Sequence, residues 1–106
     1  MPKLNVGDRA PDFTAVDGEG KTHRLKDYLG RKIVLYFYPK DLTPGCTQEA
    51  CDFQENLGEF KKAKAVVLGV SKDPAALHQK FAAKHGLTFP LLVDEDLTIT
   101  KAYGAW

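Results

Sequence analysis

Residues Ile33-Val34-Leu35-Tyr36-Phe37-Tyr38 form an unbroken run of branched and aromatic side chains that stops at Pro39. A strand with one wet face alternates polar and apolar residues. A run without alternation predicts a strand buried on both faces, as in a parallel sheet covered by helices. Parallel neighbours are joined only by crossovers long enough to hold a helix, so the downstream sequence must supply them. Ala50, Phe53, Leu57 and Phe60 recur at spacings of three, four and three, an apolar helical stripe that predicts one continuous helix over residues 46–60. Residues 65–70 (AVVLGV) read as a second buried strand. Asp73 is a predicted N-cap with Pro74 at the first helical position; Leu77, Phe81 and Ala82 share a face of the helix that follows, and Gly86 ends it. Residues 89–93 are a third short strand, and residues 97–103 a weaker helical segment closed by Gly104. Strand, helix, strand, helix, strand implies an α/β fold with parallel central strands and right-handed crossovers. Ahead of it, residues 12–16 and 21–25 flank the turn Asp17-Gly18-Glu19-Gly20 as an N-terminal β-hairpin, and residues 26–30 make a single helical turn.

Length and charge narrow the function. A chain of 106 residues holds one modest core, so residues 1–106 are a single domain. Fifteen Lys+Arg against 14 Asp+Glu leave a formal charge of +1, with no overall pull toward nucleic acid or acidic lipid. The run 33–38 is the longest apolar stretch and is far too short for a membrane span. The first eight residues lack the apolar stretch of a secretory signal, and two cysteines are too few for a disulfide scaffold. The expected compartment is a reducing cytoplasm, where a close cysteine pair points to redox chemistry or metal.

In a parallel α/β sheet the ligand site lies beyond the carboxyl ends of the strands. The segment in that place after residues 33–38 is Pro39-Lys40-Asp41-Leu42-Thr43-Pro44-Gly45-Cys46, which puts Cys46 at a helix N-terminus. The unpaired N–H groups there favour the thiolate, the reactive form of the thiol. Thr43, three residues earlier, can hydrogen-bond the sulfur or an incoming oxygen, while Pro39, Pro44 and Gly45 shape the loop. Cys46 also heads the apolar stripe, so a plain buried core residue remains an alternative. Cys51 follows five residues on. Along an ideal helix that is a rise of ~7.5 Å and a turn of ~140°, with Cα atoms roughly 8–9 Å apart, beyond disulfide reach. The pair can bond only if the first turns unwind, which is the layout of a cycle through sulfenic acid to a disulfide.

Residues 38–51 (YPKDLTPGCTQEAC) resemble the active-site segment of the peroxiredoxins, most nearly the bacterioferritin-comigratory or Q group. The Pro39, Thr43, Cys46 core carries the resemblance, with Cys51 at the spacing of that subgroup. Residues 6–13, the Gly69-Val70-Ser71 strand end and Phe89-Pro90-Leu91-Leu92 with Asp94 extend it over nearly the whole chain. It implies a thioredoxin-like fold and reduction of hydroperoxides without metal or organic cofactor. By it Cys46 is the peroxidatic cysteine, Cys51 the resolving cysteine, Thr43 a partner of the reacting peroxide, Pro39 a shield for the sulfenate, and thioredoxin or a similar dithiol the reductant. The family pattern continues past a segment like residues 102–106 into two more strands and a helix, one strand bringing an arginine to the thiolate. None of Arg9, Arg24 or Arg31 stands at the matching position. The resemblance sets strand 33–38 between the second strand and those later strands. Without them it is an open apolar edge through which the chain is expected to self-associate.

The remaining signals read as structural. His78 and His85, seven apart on one helix, are expected on a solvated polar face, and His23 is expected to be exposed. Cys46 and Cys51 lack the shorter spacing and further ligands of a zinc site. Tyr36 and Tyr38 are expected core aromatics, Lys61, Lys62 and Lys64 a complement to a helix C-terminus, and Trp106 a sign of docking or truncation. Two rivals stand beside the peroxidase. A thiol–disulfide oxidoreductase is disfavoured by the five-residue cysteine spacing. A non-catalytic truncated domain could bind a partner through its unfinished sheet.

Overall fold

The computed structural model describes residues 4–105, so the expectation for Trp106 lies outside the described residues. In chain order the elements are β1 (Thr14–Val16), β2 (Thr22–Arg24), a 3-10 turn (Leu25–Tyr28), β3 (Lys32–Phe37), α1 (Pro44–Glu55), α2 (Leu57–Lys62), β4 (Ala65–Ser71), α3 (Ala75–His85), β5 (Leu91–Val93) and α4 (Thr98–Ala102). β1 and β2 pair antiparallel, and β3-β4-β5 form a parallel sheet. A single antiparallel bridge, Asp17 to Leu92, ties the hairpin to β5.

The two-residue period of the strands sorts the core into two layers. Val34 and Tyr36 of β3, Val67 of β4 and Leu91 of β5 face the layer that also holds Tyr38, just past β3, and Ala50, Phe53, Leu57, Phe60 and Phe81 from α1, α2 and α3. Ile33, Leu35 and Phe37, then Leu68 and Val70, then Leu92, face the opposite layer with Phe13, Ala15, Leu25, Ile99 and Tyr103. Gly69 sits in the first layer because the Leu91 Cδ2 and the Tyr36 ring take up the space of a side chain; a Cβ there would lie 2.9 Å from the former. Asp94 accepts from the amides of Ile99 and Thr100 and from the Thr100 hydroxyl, at 2.7–3.0 Å, and so starts α4.

Three expectations are corrected. Residues 33–37 are half-buried, not buried, because among the described residues β3 pairs only with β4; β4 is the buried central strand. The helix over residues 46–60 is two helices, since Asn56 takes φ −97 and ψ 9 and turns its side-chain amide onto the Asp52 carbonyl at 2.8 Å. Such local side-chain bonds compete with the helical ladder. Pro74, not Asp73, is the N-cap of α3, and the Asp73 carboxylate is used elsewhere. Among the described residues no helix is long and apolar enough to cross a membrane.

Candidate active site at the start of α1

Beyond β3, the Tyr38 amide still donates to the Val70 carbonyl at 3.1 Å, so strand register persists to the edge of the loop. Pro39 and Lys40 are exposed, and then the chain turns inward. Asp41 is 4% exposed. Its Oδ1 accepts from the Tyr38 hydroxyl at 2.5 Å, its Oδ2 lies 2.6 Å from His78 Nδ1, and its amide donates to Asp73 Oδ2 at 2.7 Å. Leu42 takes a left-handed φ of 64, which for a branched residue costs on the order of 1–3 kcal/mol. That turn delivers Thr43 as the N-cap of α1, with Pro44 in the first helical position, where a missing N–H costs nothing.

The first helical bond runs from the Thr47 amide to the Thr43 carbonyl at 2.8 Å. The amides of Gly45 and Cys46 therefore have no carbonyl one turn back, and α1 carries no acidic residue in its first turn. Cys46 is half-buried and packs against the layer containing Tyr38 and Ala50. The Thr43 hydroxyl donates to the Lys40 carbonyl at 3.0 Å, so while that bond is made it meets a third group as an acceptor. Cys46 and Cys51 are both free thiols in unbroken helix, as the spacing requires. Cys51 is half-buried and, about 140° further round α1, leaves the sheet-facing stripe.

Beneath α1, Tyr36 stacks on Phe53 with ring centroids 4.5 Å apart. Among the described residues its buried hydroxyl has no hydrogen-bond partner. Burial pushes this phenol far above its ordinary value of 10.0, and the negative charges of Glu49, Asp41 and Cys46 push the same way. Tyr38 is raised too, by burial first and then by its bond to Asp41.

Pro39, Thr43 and Cys46 thus all lie on the one segment that runs from the end of β3 into α1, with Cys51 further along the helix. The histidine expectations do not hold. His78 is 1% exposed and its Nε2–H donates to the Leu92 carbonyl at 2.9 Å. His85 is half-buried and meets Phe81 edge-on, and His23 is 3% exposed between Asp17 and the Tyr28 hydroxyl. Arg9, Arg24 and Arg31 line a cleft of about 730 Å³ with Phe13, Tyr28 and Ile33, and Cys46 is not among its walls. Among the described residues no group of three or more His, Cys, Asp or Glu is placed to hold a metal ion. Sequence reading passed over Asp41, Asp73 and His78 as site residues. The available signal was that Asp41 is the sole acidic residue between Pro39 and Cys46, and that His78 precedes Phe81 by one helical turn.

A parallel sheet with a hairpin packed against it, and a helix that follows its first strand, define a thioredoxin-like fold. The chain belongs to the AhpC/TSA family, which it matches over residues 6–106. It is 48% identical over 103 residues to peroxiredoxin Bcp of Bacillus subtilis, covering 97% of this chain and 66% of that protein. Among solved structures, the bacterioferritin comigratory protein of Xanthomonas campestris, described for its alkyl peroxide reduction activity, superposes with a TM-score of 0.85 at 42% identity. That match covers 87% of this chain and 59% of the other. Peroxidoxin BcpB of Mycobacterium tuberculosis gives a TM-score of 0.88 at 39% identity, over 92% and 64% of the two chains. The chain spans about two thirds of the length of the curated relatives it matches.

Proposed function

We propose that this domain carries the catalytic cysteines of a thiol-dependent peroxidase acting on hydrogen peroxide and organic hydroperoxides. The observation that supports it most is the free Cys46 thiol at the start of α1, with Cys51 held out of reach in the same helix. Cys46 thiolate attacks the terminal peroxide oxygen and the O–O bond breaks. The sulfur loses two electrons, and the other oxygen leaves with a proton as water or alcohol. Thr43, its hydroxyl hydrogen directed at the Lys40 carbonyl, accepts from the peroxide O–H, and Pro39, which has no N–H, covers the sulfenate. Once the first turns of α1 unwind, Cys51 thiolate attacks the sulfenic sulfur, the S–S bond forms as the S–O bond breaks, and the hydroxide leaves with a proton from solvent as water. An external dithiol, thioredoxin or a similar protein of a reducing cytoplasm, returns both thiols by exchange.

The test compares two variants. Cys46→Ser should abolish peroxide consumption. Cys51→Ser should still consume one equivalent and leave a sulfenic acid at Cys46 that a dimedone-type reagent traps, while turnover with thioredoxin falls sharply. Equal loss of the first turnover in both variants would show the roles to be misassigned. Undiminished consumption by Cys46→Ser would remove Cys46 as the nucleophile, and a parent protein that consumes no peroxide would end the peroxidase reading.

A further inference from the structure

We propose that Asp41 and His78 form a latch that holds the Cys46 segment in its folded, peroxide-reactive arrangement and sets how readily α1 opens for the Cys46–Cys51 disulfide. The proposal rests on the peroxidase reading above. The loop between β3 and α1 has few other anchors. Pro39 and Lys40 are exposed, the Thr43 hydroxyl bonds only within the loop, and Leu42 is held at a positive φ that an unconstrained leucine would leave. Leu42 packs half-buried against the core layer, and Asp41 is the loop's buried polar anchor, through which the loop is tied to the three described parallel strands. Tyr38 follows β3. The Asp41 amide reaches Asp73, whose carboxylate also accepts from the hydroxyl of Ser71 at the end of β4, 2.8 Å away. His78, the other side-chain partner, bonds the Leu92 carbonyl in β5.

Proton counting shows how tight this latch is. The Leu92 carbonyl only accepts, so His78 Nε2 carries a proton. The 2.6 Å contact between His78 Nδ1 and Asp41 Oδ2 therefore needs one more proton, on the imidazole or on the carboxyl; without it two lone pairs would face each other. The Tyr38 hydroxyl, donating to Oδ1, completes the set. In a site this dry, losing one partner leaves the other buried and unpaired. Asp41 lies five residues before Cys46 and outside the helix, so unwinding α1 at Pro44–Thr47 pulls against this fixed point. Weakening it should misplace Cys46 for peroxide and ease opening. The two chemical steps should then move in opposite directions, which a general loss of stability would not produce.

The experiment uses the protein with Asp41→Ala and Asp41→Asn. The asparagine keeps the shape: its amide donates to a neutral His78 Nδ1 while its oxygen still accepts from Tyr38. Quenched-flow alkylation with intact mass separates Cys46 oxidation by hydrogen peroxide from the later disulfide step. Asp41→Ala should slow the first step by about tenfold or more and speed the second. Asp41→Asn should fall between alanine and the parent in both. Amide exchange at residues 47–50 of the reduced protein, the first amides bonded within α1, should accelerate in Asp41→Asn relative to α3. If Asp41→Ala does not fold, Asp41→Asn decides by the same two rates and the exchange. Equal slowing of both steps, or unchanged exchange at 47–50 in Asp41→Asn, would overturn the latch. A parent protein that leaves peroxide untouched would overturn the peroxidase reading instead, and the exchange measurement would still judge the latch.

Discussion

Tyr36 and Tyr38 lie two residues apart on the same face of the sheet, yet their hydroxyls are in opposite situations. The Tyr38 hydroxyl donates to Asp41, whereas among the described residues that of Tyr36 is buried without a partner. A buried, unsatisfied hydroxyl keeps its desolvation cost, and removing it relieves that cost. Tyr36→Phe is expected to leave stability unchanged or raise it by about 1 kcal/mol, while Tyr38→Phe, which strips Asp41 of a donor, should cost about 1–3 kcal/mol. Urea midpoints of the two variants check this; a Tyr36→Phe loss matching that of Tyr38→Phe would show that the Tyr36 hydroxyl has a partner. Both tyrosines were legible as core aromatics from their run. Which hydroxyl is satisfied was not: Asp41 stands only three residues after Tyr38, but it is held in the interior by Asp73 and His78, 32 and 37 residues away in sequence.

At the scale of elements, the glycines separate propensity from packing. Gly58 lies in α2 with open space where a side chain would go. Gly58→Ala should therefore stabilise by about 0.5–1 kcal/mol through helix propensity alone. Gly69 lies in β4 with Leu91 and the Tyr36 ring against it. Gly69→Ala should destabilise by about 1–3 kcal/mol by overpacking. Denaturant titrations of both variants read the two signs, and a stabilising Gly69→Ala would mean that Leu91 and Tyr36 yield without strain. The apolar periodicity revealed type and order of the parallel strands and main helices. It did not reveal the break at Asn56, because Phe53, Leu57 and Phe60 keep their places on the core layer across it and the stripe stays continuous.

For the molecule as a whole, two expectations follow from edges and charge. β3 pairs on one side only among the described residues, and Ile33, Leu35 and Tyr36 are half-buried there. A chain of these 106 residues alone should self-associate through that edge. Light scattering over a concentration series checks it, and a monodisperse monomer with one cooperative thermal transition would count against it. The second concerns acid. Burial raises the Asp17 carboxyl, but bonds from His23 and from the Lys21 and Glu19 amides outweigh this and hold it below the ordinary 3.8. A carboxyl lowered in the folded state contributes stability that is fully present above 3.8 and is lost as pH falls through its lowered value. Asp17→Asn should therefore flatten the acid limb of the stability curve, read from thermal midpoints between neutral and acid pH; an unaltered limb would remove Asp17 from the account.

The sequence by itself determined the βαβαβ order, the hairpin ahead of it, and the placement of Cys46 at a helix start with Cys51 out of bonding reach. All of these follow from local periods, capping residues and spacings along one helix, which neighbouring residues set among themselves. The tertiary structure alone decided that His23 and His78 are interior, that β4 and not β3 is the buried strand, and that Asp41 is fastened to the ends of three strands. A histidine or aspartate is buried only when a partner satisfies it, and here the partners of His78 and Asp41 come from distant segments that the sheet brings together.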